Sequence, residues 1–194
     1  NDHALAKAII EECAAAKIPV QTIGGQGYNL DHGVMVPQHF LDRKTVGLPL
    51  VLLTFSWLPL HVHFAFGKAI RAAAARLNRR LALVASGDLS HRLIPGAPAG
   101  YEPLGTEFDR KLVDAVSRLD AQAVLDLDPK LIERAGECGL RSITILLGAL
   151  QGLAVKPQVL SYEGPFGVGY MVASFSIKEQ FSSPLAGEDE GEGA

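Results

Sequence analysis

Two continuously apolar runs limit how this chain can fold. Leu48 to Trp57 reads LPLVLLTFSW, and Arg80 to Ser86 carries LALVAS. A strand with one face in water alternates apolar and polar side chains, whereas a strand covered on both faces loses the alternation. Residues 60–77, between the runs, have apolar residues at helical spacing. Strand, helix, strand is the order that a parallel sheet with crossover helices requires. The expected class is therefore α/β, with a mostly parallel central sheet flanked by helices.

The rest of the chain supplies helices and a closing strand pair. Residues 3–17 read as a helix with Asp2 as N-cap, ended by Ile18-Pro19 before a short strand at Val20 to Ile23. Gly24, Gly25 and Gly27 open a loop that carries Asp31-His32-Gly33, and Val36 to Leu41 is expected to hold a short helix with Pro37 in its first turn. After a Pro/Gly-rich loop from Ile94 to Pro103, residues 104–118 form an amphipathic helix with Leu104, Phe108, Leu112, Val113 and Val116 on one side. Two short helical pieces, 121–127 and 129–135, precede an apolar helix from Arg141 to Leu153. Strands are expected at Gln158 to Tyr162 and Val168 to Phe175, around the turn EGPFG.

At 194 residues the chain suits one domain, assigned to residues 1–180. The run SSPLAGEDEGEGA within 181–194 cannot bury enough surface to order itself and reads as a flexible acidic tail or linker. The opening residues already have helical spacing, so the sequence is expected to start inside the domain, N-terminally incomplete. A hydrophobic content of 48% and a net charge of -3 belong to a folded protein with no long-range pull toward nucleic acid. The longest apolar stretches are too short, or too broken by Pro and Gly, to span a bilayer. Cys13 and Cys138 form no CxxC, which points to a reducing cytoplasm.

Ligands and catalytic groups in open α/β sheets gather at the carboxyl ends of strands. Ser86, Asp88 and His91 fall there, since LALVAS is the strand and GDLSH leaves it. An imidazole near neutral pH can accept or donate a proton, and a carboxylate such as Asp88 can fix its tautomer. The residues alone favour a surface loop with a capping Asp. His32 sits on a second Gly-rich loop past a strand, where an Asx turn at Asp31 would look the same. Glu137 and Cys138 open an apolar helix. The acid suits the helix dipole or a metal site, and the cysteine suits a thiolate ligand or a small buried residue. His61 and His63 are two apart on a helix and do not face each other, so they read as structural. No GxSxG supports a hydrolase built on His91 and Asp88.

Four collinear segments, LDHGVMVP, ASGDLSHRL, AGECGLRS and YEGPFGVGYMVASF, resemble the catalytic subunits of class III extradiol ring-cleavage dioxygenases. That superfamily includes the Memo proteins. The resemblance is strongest to the dioxygenase-like domains found alone or fused ahead of an AMMECR1 domain in AmmeMemoRadiSam proteins, and it runs from Val20 to about Phe175. It implies a non-haem Fe(II) site in which two histidines and a glutamate hold the metal, a catechol-like aromatic and O2 bind side by side, and the ring is cut next to the diol. His91 matches the acid/base histidine beside the metal, Asp88 would orient it, and His32 matches the DHG histidine that lines the pocket. Glu137 is expected as the third ligand, with Cys138, which Memo proteins place there, as the alternative. The two histidine ligands are expected upstream of Asn1. The implied partners are a small aromatic substrate and O2, with a homo-oligomer or an AMMECR1-type domain, fused or separate, left open.

Overall fold

The computed structural model describes residues 1–23, 31–45 and 47–177. The glycine loop at 24–30 and the tail at 181–194 lie outside the described residues. The described chain is α/β: seven α-helices and one antiparallel strand pair.

Helix α1 (His3–Ala15) starts as expected, because Asp2 Oδ1 accepts the Leu5 N–H at 2.9 Å. Helix α2 (His32–Thr45) is longer than the short helix expected at Val36 to Leu41. Asp31 caps it, its Oδ1 accepting the Val34 N–H at 3.2 Å, and the helix runs on through Pro37. Helix α3 (Leu60–Arg76) is the crossover helix between the two apolar runs. Glu102 caps α4 (Pro103–Ser117), Asp120 caps α5 (Ala121–Leu125) and Asp128 caps α6 (Pro129–Ala135), before α7 (Leu140–Leu150).

The strands β1 (Val155–Glu163) and β2 (Tyr170–Ile177) pair antiparallel, with Val155 opposite Ile177 and Glu163 opposite Tyr170. A bulge between Val159 and Ser161 shifts the phase by one residue. Val155, Pro157 and Val159 point one way, and after the bulge Tyr162 joins that side in place of Ser161.

Two apolar clusters result. One joins Leu89, Phe108, Leu112, Val116, Leu140 and Leu147, with Val159, Met171 and Phe175 of the strand pair against it. The other joins Leu5, Ile9 and Cys13 of α1 to Ile70 and Ala73 of α3 and Ile145 of α7. Helix α7 therefore serves both, and its crossing with α3 binds them together.

The apolar runs depart from the sequence expectation. No strand ladder involves 48–57 or 80–86 among the described residues, and the same holds for Val20 to Ile23. Only one side of the first run is packed: Val51 and Phe55 lie on the second cluster, while Leu48 is 60% and Leu52 43% exposed. On the second run Val84 is 57% exposed. The parallel central sheet is thus not seen. Apolar continuity specifies residues suited to burial on two faces, but a ladder also needs neighbouring strands, which the described residues do not supply. No helix among the described residues is long and apolar enough to cross a membrane.

Candidate functional site

The end of the second apolar run meets the start of α7 backbone to backbone. Asp88 O accepts the N–H groups of Cys138 at 3.2 Å and Gly139 at 2.8 Å. The Asp88 N–H in turn donates to Cys138 Sγ at 3.2 Å. Two glycines make this approach possible: a Cβ on Gly87 would stand 2.5 Å from Gly139 Cα, and one on Gly139 would stand 3.0 Å from the Gly87 carbonyl carbon.

His91 is set by the other side of the same loop. Its N–H donates to Ala135 O at 3.3 Å, and Ser90 Oγ donates to Ala135 O at 2.8 Å. Gly136, left-handed at φ +62°, ends α6 and turns its carbonyl to His91 Nδ1 at 2.5 Å. The tautomer with N–H on Nδ1 lets that nitrogen donate to the carbonyl. Nε2 then faces Asp88 Oδ2 at 3.4 Å, with both side chains partly exposed.

Asp88, His91 and Cys138 offer one carboxylate oxygen, one imidazole nitrogen and one sulfur, all within 4.8 Å of one another. Burial raises the Cys138 thiol, and the Asp88 and Glu137 carboxylates push it further, against the Asp88 N–H that lowers it. A metal would therefore have to displace a firmly held proton.

Glu137 is placed differently. Its Oε2 accepts the Leu140 N–H at 2.7 Å, capping the first turn of α7, and its Oε1 lies 3.3 Å from Arg141. The side chain is buried, and burial raises its carboxyl despite these partners. Of the two, Cys138 is the one whose ligand atom joins Asp88 and His91 in the three-residue cluster. His32 begins α2 and is exposed. A Cβ on its neighbour Gly33 would lie 3.8 Å from Ser86 Oγ, which puts the start of α2 beside the loop that bears Asp88. Its imidazole is not in the three-residue cluster. His63 is buried between Pro59 O and Ser56 O, in the structural role expected of it.

Sequence reasoning missed Asp109 and Tyr162, which hold the His91 loop from behind. Asp109 Oδ1 accepts the Ser90 N–H at 2.8 Å, and Oδ2 accepts the Tyr162 hydroxyl at 2.7 Å. The signal was an acid at apolar spacing: Gly105, Phe108, Asp109 and Leu112 share the buried face of α4. Burial pushes the Asp109 carboxyl above the usual carboxylate range, against the bonds from Tyr162 and Ser90. A raised folded-state value gives stability that is full below the unfolded value and is lost as pH rises through the folded one. Asp109→Asn keeps the shape, with Oδ1 still accepting from Ser90. The variant is expected to gain stability relative to the native protein as pH rises from about 4 to 7, seen as diverging urea midpoints. A pH-independent difference would show that Asp109 titrates as an ordinary carboxylate.

Residues 1–173 match the family model of the catalytic LigB subunit of aromatic ring-opening dioxygenase. The chain belongs to this family. It is a class III extradiol dioxygenase domain by descent, as the four segments imply. Among curated relatives, Protein CA_C1420 of Clostridium acetobutylicum is 41% identical over 156 residues, which cover 80% of this chain and 33% of that protein. The beta subunit of 2-aminophenol 1,6-dioxygenase from a Pseudomonas species is 22% identical over 96% of the chain and 67% of the subunit. The alpha subunit of that name is 25% identical over 91% of the chain and 68% of the subunit. The chain thus spans one third of the length of the Clostridium protein and about two thirds of the two dioxygenase subunits.

Proposed function

We propose that this LigB-family chain carries part of the site of a non-haem Fe(II)-dependent extradiol dioxygenase that opens a catechol-like aromatic ring with O2. The observation that carries the reading is the convergence of Asp88, His91 and Cys138 at the end of an apolar run in a chain of this family.

The donor set fits such a metal in part. Carboxylate, imidazole and thiolate all bind divalent first-row metals, and the cluster offers one of each. With His91 kept for proton transfer, the cluster supplies one side of a metal site and not the whole two-histidine, one-carboxylate set. Cys138 would hold the ion there, with Asp88 and His91 beside it. Fe(II), when bound, supplies open positions for substrate and O2. His91 does the proton work. With Nδ1 held on Gly136 O, Nε2 is the nitrogen that would exchange a proton with a substrate hydroxyl. Asp88 Oδ2, 3.4 Å from Nε2, orients the ring for this. His32, at the start of α2, lines the approach.

The mostly parallel sheet belongs to the same proposal: the runs at 48–57 and 80–86 become its strands when neighbouring strands pair along their backbone edges. The two relatives named as alpha and beta subunits support association with a second subunit or a second copy.

Protein reconstituted with Fe(II) is expected to consume O2 with catechol or 2-aminophenol and to give a coloured ring-opened product. Absence of O2 uptake across a panel of catechols and aminophenols would overturn the enzyme reading. One observation favours a second reading, a Memo-like metal-binding module without turnover, and that is the place of Cys138 in the cluster. Bound metal separates the candidate ligands. Cys138→Ala is expected to lose about tenfold or more in metal affinity, whereas Glu137→Gln keeps the metal and loses helix stability. The reverse result would make Glu137 the ligand.

A further inference from the structure

Trp57 is the only tryptophan in the 194 residues, and it is 79% exposed. A large apolar side chain left in water is commonplace when it hangs loose. This one is held.

The Arg141 guanidinium carbon lies 4.5 Å from the centre of the indole, on one face of it. Phe55 meets the ring edge-on, with centroids 6.0 Å apart and planes at 86°. The backbone under it is fixed as well. The Leu58 N–H donates to Ser56 Oγ at 3.3 Å, and buried His63 of α3 sits 3.0 Å from Ser56 O and 3.1 Å from Pro59 O. Trp57 therefore costs little further ordering when something lands on it.

A short chain of contacts joins it to the cluster. Trp57 ends the first apolar run, three residues before α3 begins. Arg141 beneath it pairs with Glu137 at 3.3 Å, and Glu137 is joined directly to Cys138. Two contacts and one peptide bond link the indole to the sulfur.

The charge pattern gives the ligand class. A cation against one face of an indole draws electron density toward it and leaves the free face less negative. An electron-rich ring then stacks on that face more favourably than on an isolated indole. Phenolic and aminophenolic rings are of this kind.

We propose that Trp57, backed by Arg141, is the platform on which the aromatic substrate stacks on its way to the Asp88, His91 and Cys138 cluster, and that it selects electron-rich rings. The inference rests on the dioxygenase reading for the identity of the substrate but not for the stacking itself.

The single tryptophan makes the test direct. The 194-residue chain, without added metal, is excited at the indole band edge and titrated with catechol while acrylamide quenching is followed. Catechol is expected to quench Trp57 saturably and to shield it from acrylamide, and cyclohexane-1,2-diol is expected to do neither. Calorimetry should show catechol binding weakened about three- to tenfold in Trp57→Leu and mostly restored in Trp57→Phe. Where turnover is measured, the loss should fall on KM and not on kcat. Shielding of Trp57 together with no O2 uptake in the Fe(II)-reconstituted protein would uphold the platform and defeat the dioxygenase reading. Ring cleavage with Trp57 fully accessible and KM unchanged in Trp57→Leu would overturn the platform and leave the enzyme standing. A tryptophan already shielded before catechol is added, by a second copy or another polypeptide, would also overturn it.

Discussion

Alanine at Gly67 or at Gly148 is expected to destabilise the fold by about 3 to 5 kcal/mol, lowering the melting temperature by about 10 °C or more. In an exposed helix the same change would gain about 1 kcal/mol from propensity. Here the helix crossing decides the sign. A Cβ on Gly67 would overlap Ile145 O and stand 2.7 Å from Ala149 N, and a Cβ on Gly148 would overlap Phe64 O. All of these are backbone atoms of the facing helix, so no rotamer change relieves them. Helices α3 and α7 would have to move apart, and that crossing joins the two apolar clusters through Ile145 on one side and Ile143 and Leu147 on the other. Because the first alanine already separates the helices, the double variant should lose less than the sum. Urea unfolding of the two single variants and the double variant reads all three. Unchanged or increased stability in either single variant would mean that the helices do not cross this closely.

The same crossing shows what sequence could and could not reveal. Helix α1 was legible to its cap, since Asp2 before an apolar-periodic segment carries its own hydrogen-bond instruction. The antiparallel closing pair was legible from two β-rich runs around EGPFG. Gly67 and Gly148 carried no such local signal. Their meaning lies in a neighbour about eighty residues away, and neither periodicity nor propensity refers to it. The runs at 48–57 and 80–86 failed differently. Their composition states how much burial they suit, but pairing belongs to the partner strand as much as to the run itself.

Within the candidate site, the residues proposed to do chemistry stood out because they were polar groups on Gly-rich turns. Asp88 and His91 were found in this way. Glu137 and Cys138 could not be told apart in this way, since adjacent residues share every sequence-level feature. What the structure adds is the direction of each side chain. Glu137 folds back onto the first N–H groups of α7, which need an acceptor, and this leaves the next side chain to face Asp88. The supports behind His91 were hidden by distance: the bulge at Leu160 decides that Tyr162 reaches Asp109, and a one-residue shift in phase has no reliable sequence mark.

On the proposed chemistry, His91→Ala is expected to lower kcat about 10²- to 10⁴-fold, the range of a positioned general acid–base. Metal content separates the two ways this loss could arise. If His91 moves protons, the variant keeps its metal and binds catechol with nearly native affinity, and added imidazole restores part of the rate. If His91 is a ligand, metal falls with activity and imidazole acts by refilling the coordination position, so metal content rises with rate. The geometry favours the first outcome. Nδ1 is committed to Gly136 O, and Nε2 faces a carboxylate at 3.4 Å that holds the ring in place. Asp88→Asn tests that pairing. The amide keeps the size of the side chain and the backbone bonds to Cys138 and Gly139, but removes the charge facing Nε2. Its loss should be smaller than that of His91→Ala and should fall on kcat, with O2 uptake and ring-opened product declining together. A native rate in His91→Ala would remove this histidine from the reaction altogether.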